Sequence, residues 1–151
     1  MNQKMLVHRF LQKNNLFAVI GVSRNRRKYG YRVWRNLRDS GYLAYPINPN
    51  AAQIDGEKCY KSLSKLPEIP DVVELVVPPS VSEKAVKECK SLGIKMVWMQ
   101  PGSETEKAIS FCEKNGIKVL SKICVMMESD QKREARKDKE GNQELQKMRA
   151  P

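Results

Sequence analysis

Seven cationic side chains, Arg24, Arg26, Arg27, Lys28, Arg32, Arg35 and Arg38, fall within fifteen residues that contain no acid. An arginine forks onto phosphate oxygens with two parallel hydrogen bonds, and a lysine acts as a compact point charge, so the cluster points to a polyanionic ligand. Residues for bond breaking are scarce by comparison. General acid–base or nucleophilic chemistry needs a histidine, paired acids, or an activated Ser or Cys. The one histidine, His8, lies in an N-terminal stretch with helical spacing, where a surface or packing role is expected. Gly21-Val22-Ser23-Arg24-Asn25 lacks the second glycine of a nucleophile elbow. Cys59, Cys89, Cys112 and Cys124 contain no C-x-x-C pair, so reduced thiols are expected rather than a zinc site or a disulfide framework. The residues therefore predict binding without catalysis, and no metal.

The surrounding chain bounds that reading. Its 151 residues suit one globular core, and its 28 basic against 17 acidic side chains give a formal charge of +11. The charge is unevenly placed. Residues 128–151 hold seven basic and six acidic groups and almost nothing to bury, so this tail is expected to be disordered or an exposed helix, with a partner-binding helix as the sharper alternative. The remaining +10 belongs to the body, residues 1–127. The longest apolar stretches, Phe17–Val22 and a Val72–Val77 run broken by Glu74, fall far short of the roughly 18 residues of a membrane span. His8, Arg9, Gln12 and Lys13 interrupt any signal-peptide core, and a cytoplasmic location is the expectation.

Those cations must be held by elements that the hydrophobic pattern outlines. After a short amphipathic helix at about 3–13, Phe17–Val22 reads as a strand buried on both faces, and Gly30, Val33, Trp34, Leu37 and Gly41 recur at helical spacing. Leu43–Ile47 is a second strand, Ser62–Leu66 a weak short helix, and Val72–Val77 a third strand stopped by Pro78-Pro79. Two capping boxes, Ser80-Val81-Ser82-Glu83 and Ser103-Glu104-Thr105-Glu106, are expected to open the next helices, with strands at Lys95–Met99 and 117–120. Cys89 and Cys112 fall on the inward faces of those helices as packing residues. This alternation predicts an α/β fold, a Rossmann-like doubly wound parallel sheet of about five strands with helices on both faces. Ligands of such sheets bind beyond the carboxyl ends of the strands, which places the start of the cationic cluster, Ser23–Tyr29, in the first strand-to-helix turn. Arg32, Arg35 and Arg38 instead recur along the following helix and read as a solvated face.

Which anion is bound is narrowed by what the turn lacks. A dinucleotide fingerprint would have glycines at 21, 23 and 26, but only Gly21 is present, and the ribose-binding acid after the second strand is replaced by Asn48-Pro49-Asn50. An NAD(P)-type oxidoreductase or redox sensor is the alternative these departures weigh against. A nucleic-acid-binding protein is the weaker alternative, since Trp34 and Trp98 read as packed residues rather than a stacking platform.

Five segments in order resemble the stand-alone CoA-binding proteins with a Rossmann-like fold, relatives of the CoA-binding domain of the succinate–CoA ligase alpha subunit. They are Val19–Asn25 leading through Lys28-Tyr29-Gly30, Tyr45–Asn50, Val76–Pro79, Val97–Gly102, and Cys124 with Met126, and the resemblance spans about residues 14–128. It implies that Gly21, Ser23 and Arg24 meet the pyrophosphate of coenzyme A, and Val22 between them and Lys28, a point charge in the same turn, complete the expected cofactor-binding loop. It further implies that Asn48 and Pro49 flank the nucleotide, that Val77, Pro78 and Pro79 pack on the adenine side, and that Met99 and Gln100 border the pantetheine path. The charge agrees, because a pyrophosphate and a 3′-phosphate together carry about four negative charges. Cys124, just beyond the fifth strand, is placed either to meet the pantetheine thiol or to remain an inert thiol.

Overall fold

The computed structural model describes residues 2–130, 139–141 and 143. In chain order the elements are α1 (Gln3–Phe10), β1 (Leu16–Ile20), α2 (Tyr29–Asp39), β2 (Leu43–Ile47), β3 (Gln53–Ile54), β4 (Glu57–Lys58), a 3-10 turn (Leu63–Lys65), β5 (Val72–Leu75), α3 (Pro79–Ser91), β6 (Met96–Met99), α4 (Glu106–Lys114) and β7 (Lys118–Ser121). A helical segment follows at 125–130. Five strands form one parallel sheet in the order β2-β1-β5-β6-β7, as the alternating pattern predicts. The β3–β4 ribbon is an addition that two-residue strands leave invisible to periodicity. Strand order reverses between β1 and β5, and this is where an α/β sheet opens a crevice at its carboxyl edge.

Both faces of the sheet are covered. On one, Phe17, Val19, Val72, Trp98 and Leu120 pack with Phe10 of α1 and with Val33, Trp34 and Leu37 of α2. On the other, Ala18, Val73, Leu75, Val97 and Met99 pack with Val86 and Cys89 of α3 and Ala108 and Cys112 of α4. Trp34 and Trp98 are fully buried, with indole N–H groups donating to the Ala44 and Ile123 carbonyls, and so provide no exposed stacking surface. Burial pushes the Cys89 thiol up to about 12 and the Cys112 thiol to about 11, in keeping with packing residues.

Three expected boundaries shift for local reasons. The first strand stops at Ile20 because Gly21, whose N–H still donates to the Ile47 carbonyl at 3.1 Å, takes φ +101° and bends the chain that follows out of the strand. Helix α3 opens at Pro79 with Pro78 as N-cap and no side-chain cap, so the Ser80–Glu83 box is not used. A proline in the first turn brings a pre-set φ and no N–H to satisfy. Helix α4 is capped by Thr105, which accepts from the Ala108 N–H at 3.0 Å, instead of by Ser103. Ser103 is buried and accepts from the Val77 N–H at 3.1 Å, tying the tip of β5 to the loop after β6.

The packed body continues through residues 128–130. The Ser129 hydroxyl donates to Asn36 Oδ1 at 2.6 Å, and Asn36 Nδ2 donates to Asp130 Oδ1 at 3.0 Å. Most of the charged tail, and with it the disordered or partner-binding reading, lies outside the described residues. Among the described residues no helix is long and apolar enough to cross a membrane.

Candidate functional site

Two glycines bring the first turn and the start of α2 into direct contact. A Cβ on Gly21 would overlap the Val76 carbonyl, and one on Gly30 would overlap the carbonyl of Gly21 itself. Only bare backbone lets the helix begin against the end of β1. Between the two, Ser23 Oγ accepts from the Asn25 N–H and Asn25 Oδ1 accepts from the Arg27 N–H, both at 3.0 Å. These local bonds fold the loop and leave the cations on its outside. Arg24 and Lys28 are exposed, and neither has an ion pair among the described residues. Lys28 is the N-cap of α2 and offers no side-chain cap, and the first turn contains no acid. Positive side chains thus stand at the positive end of a helix dipole, an arrangement that favours phosphate. Arg26 is diverted, pairing with Asp55 at 2.9 Å. Of the helix-face arginines, Arg35 pairs with Asp39 and Arg38 with Glu57, which fits the solvated reading, while Arg32 has no ion pair among the described residues.

The other expected site residues fall into two groups. Pro78 and Pro79 are exposed and Val77 is half-buried at the tip of β5. Pro49 is exposed and helps wall a crevice of about 220 Å³ at the β1 and β2 tips. Asn48 is structural as well as adjacent, since its Nδ2 donates to the Val22 carbonyl at 2.8 Å and its Oδ1 accepts from the Asn50 N–H. Val22 and Met99, by contrast, have side chains sealed in opposite faces of the core, so only backbone remains there to meet a ligand.

Gln100 is fully buried just beyond β6, and a chain of hydrogen bonds joins it to β5, to the start of α2 and to the segment after β7. Its Nε2 donates to Glu74 Oε2 at 2.6 Å, and its Oε1 accepts from the Val125 N–H at 3.0 Å and from the Tyr29 hydroxyl at 3.3 Å. The Tyr29 oxygen also lies 2.9 Å from Cys124 Sγ. With the single Tyr29 proton given to Gln100, the Cys124 thiol donates to Tyr29, and every donor points inward toward Glu74. Glu74 sits between Val19 and Trp98 in the sheet, wholly buried, with Oε1 unpartnered. Burial holds its pKa well above the usual 4.5, which favours the neutral carboxyl over the carboxylate.

That burial has a measurable sign. A carboxyl with a raised folded pKa stabilises the fold fully below its unfolded value and loses that contribution as pH rises through the folded value, at about 1.4 kcal/mol per unit between them. The Glu74→Gln variant, uncharged at every pH, should match the wild-type melting temperature near pH 4 and exceed it progressively toward pH 8. Parallel melting curves across that range would refute a protonated Glu74.

Besides the expected Pro49, the crevice at the switch point contributes residues that the sequence did not single out as ligand-binding. Ile20, Ile47, Val81 and Ala85 join Pro49 in giving it apolar walls of a kind that suits a flat base, and its charged lining is Lys61 and Lys84 with Glu88, whose carboxylate accepts from the Ser64 N–H. These come from β1, β2, the segment before the 3-10 turn, and α3, and only Val81, Lys84, Ala85 and Glu88 of α3 are connected by a helical spacing. Among the described residues, no group of three or more His, Cys, Asp or Glu is placed to hold a metal.

The chain is 41% identical over 78 residues to an ADP-forming acetate–CoA ligase of Methanocaldococcus jannaschii, and 37% identical over 81 residues to the alpha subunit of an ADP-forming acetate–CoA ligase II of Pyrococcus furiosus. Those matches cover 52% and 53% of this chain but only 11% and 18% of the relatives, so the chain corresponds to a fraction of either enzyme. Solved structures of its own size are also similar. A conserved hypothetical protein from Pyrococcus furiosus superposes with a TM-score of 0.72 at 39% identity, covering 76% of this chain and 98% of that one. A hypothetical protein from Pyrococcus horikoshii does so with a TM-score of 0.81 at 26% identity, covering 87% and 92%. The sequence model of the CoA binding domain matches residues 15–130, from the start of β1 through the helical segment after β7, and the chain belongs to that family.

Proposed function

We propose that the protein binds coenzyme A or an acyl-CoA, with the nucleotide end in the switch-point crevice and the thiol or acyl end left accessible, and that it does so without catalysing a reaction. The observation that carries this reading is the pairing of an uncompensated cationic turn, Arg24 and Lys28 at the start of α2, with an apolar crevice beside it whose rim bears Lys61 and Lys84. One charged locus suits the pyrophosphate and the other suits a 3′-phosphate, which NAD lacks. The absence of catalysis is supported by the exposed placement of His8 on α1 and by the use of Ser23 in folding its own loop.

Isothermal titration of the full chain tests this directly. Coenzyme A is expected to bind, and its 3′-dephospho form about 10-fold more weakly, since a hydrogen bond to a charged group contributes ~1.5–3 kcal/mol. Lys61→Ala with Lys84→Ala should erase the difference between the two. Tight NADPH binding with no response to coenzyme A would instead favour an oxidoreductase or sensor. Equal affinity for CoA and its dephospho form would remove the rim lysines from the site.

A further inference from the structure

On the face of the sheet opposite α3, a groove of about 470 Å³ runs between α2 and the helical segment at 125–130. Tyr31, Arg32 and Arg35 line one wall, and Cys124, Met126 and Met127 line the other. The volume falls within the range of small-molecule sites, and the mix of apolar and cationic lining is unlike that of the nucleotide crevice. Its upper end is the corner where the Cys124 thiol meets the Tyr29 hydroxyl at 2.9 Å. Resting on the proposed CoA reading, this corner is where a pantetheine arm would end. Tyr29 follows Lys28 directly at the start of α2, so the corner borders the phosphate turn at 23–28 and the arm reaches it along the first turn of that helix.

The charges of the groove say what the arm would carry. Arg35 is balanced by Asp39 at 3.3 Å, and Asp130 accepts from Asn36 at 3.0 Å. Arg32 is the groove cation with no ion pair among the described residues. It lies three residues beyond Tyr29 on the same face of α2, hence beside the thiol corner and above the acidic far end. Met126, half-buried, and Met127, 63% exposed, supply a flexible apolar wall. We infer that this groove is an acyl-group site, selective for a short CoA thioester whose acyl chain ends in a carboxylate read by Arg32. Simple alkyl acyl groups would fill the methionine wall while leaving the guanidinium unanswered.

The test uses two thioesters with the same five-carbon chain, pentanoyl-CoA and glutaryl-CoA, titrated into the full protein alongside free CoA. Glutaryl-CoA is expected to bind about 10-fold more tightly than pentanoyl-CoA. The preference should disappear in Arg32→Gln, with free CoA affinity unchanged, and persist in Arg35→Gln, whose partner is already Asp39. Both substitutions are on exposed positions, and an unchanged affinity for free CoA certifies that each variant is folded. Equal binding of the two thioesters, or a preference that survives Arg32→Gln, overturns the acyl site while leaving CoA binding standing. Failure of all three CoA species to bind overturns both readings together.

Discussion

Replacing Gly21 with alanine is expected to destabilise the fold by about 4 kcal/mol, more than the same change at Gly30 or Gly102. Two costs combine. At φ +101° an L-residue is strained by ~1–3 kcal/mol, and the new Cβ would overlap the Val76 carbonyl, part of the β5 tip, at a further ~1–3 kcal/mol for overpacking. Neither side can yield easily, because the Gly21 and Val22 N–H groups both point at the Ile47 carbonyl and the Val76 N–H is held by Ile20. Against a typical stability of ~5–15 kcal/mol the loss is severe, and for a chain of this size it lowers the melting temperature by roughly 10 °C. Gly30→Ala tests the steric part alone, since Gly30 has an ordinary helical φ and would strike only the Gly21 carbonyl. Gly102→Ala tests the conformational part alone, since Gly102 has φ +94° and nothing within 4 Å of the added carbon. Thermal melts should rank Gly21→Ala well below Gly102→Ala; equal melting temperatures would mean that the contact between β5 and the first turn is not rigid.

Those glycines illustrate which parts of the molecule could be read before folding. Gly21 and Gly30 stand out in sequence because each ends or begins an apolar or helical pattern, and the β/α rhythm around them follows from periodicity alone. What periodicity cannot show is that the two carbonyl and Cα positions touch. The same limit explains the capping boxes. Ser80 and Ser103 have the right neighbours, but Pro79 starts its helix without help, and Ser103 is drawn away by the Val77 N–H from another strand. Glu74 was visible as an acid inside an apolar strand, yet its partner Gln100 is 26 residues distant and comes from the next strand's tip. The cationic turn was legible because its charges are consecutive. Arg26 nevertheless departs from that cluster, because Asp55 arrives from the β3–β4 ribbon that two-residue strands conceal. The lysines of the crevice were the least legible of all. Lys61 and Lys84 belong to separate connections, and only the strand order β2-β1-β5, with its reversal at β1, brings them to one opening.

Removing Arg24 and Lys28 together should weaken coenzyme A binding about 100-fold while leaving stability unchanged. Each side chain is exposed and has no ion pair among the described residues, so its loss breaks nothing in the fold. In the complex, each is expected to supply one charge-assisted contact to phosphate, worth ~1.5 kcal/mol at the lower end for charged groups, and 1.4 kcal/mol is tenfold in affinity. The two contacts act in front of the α2 N-terminus, whose unpaired N–H groups remain in the double variant, which is why binding should fall without vanishing. Arg26→Ala provides the comparison, since its guanidinium already faces Asp55 and its loss should change affinity less than about 3-fold. Salt gives a second readout that a general loss of structure would not produce. Wild-type affinity should decline as ionic strength rises and the screening length shortens, and the double variant should show a flatter decline. An Arg24→Ala, Lys28→Ala protein that binds coenzyme A as well as the wild type, with the same salt dependence, would mean that the phosphates lie elsewhere and that the charge cluster, despite its density, serves only the solvated face of α2.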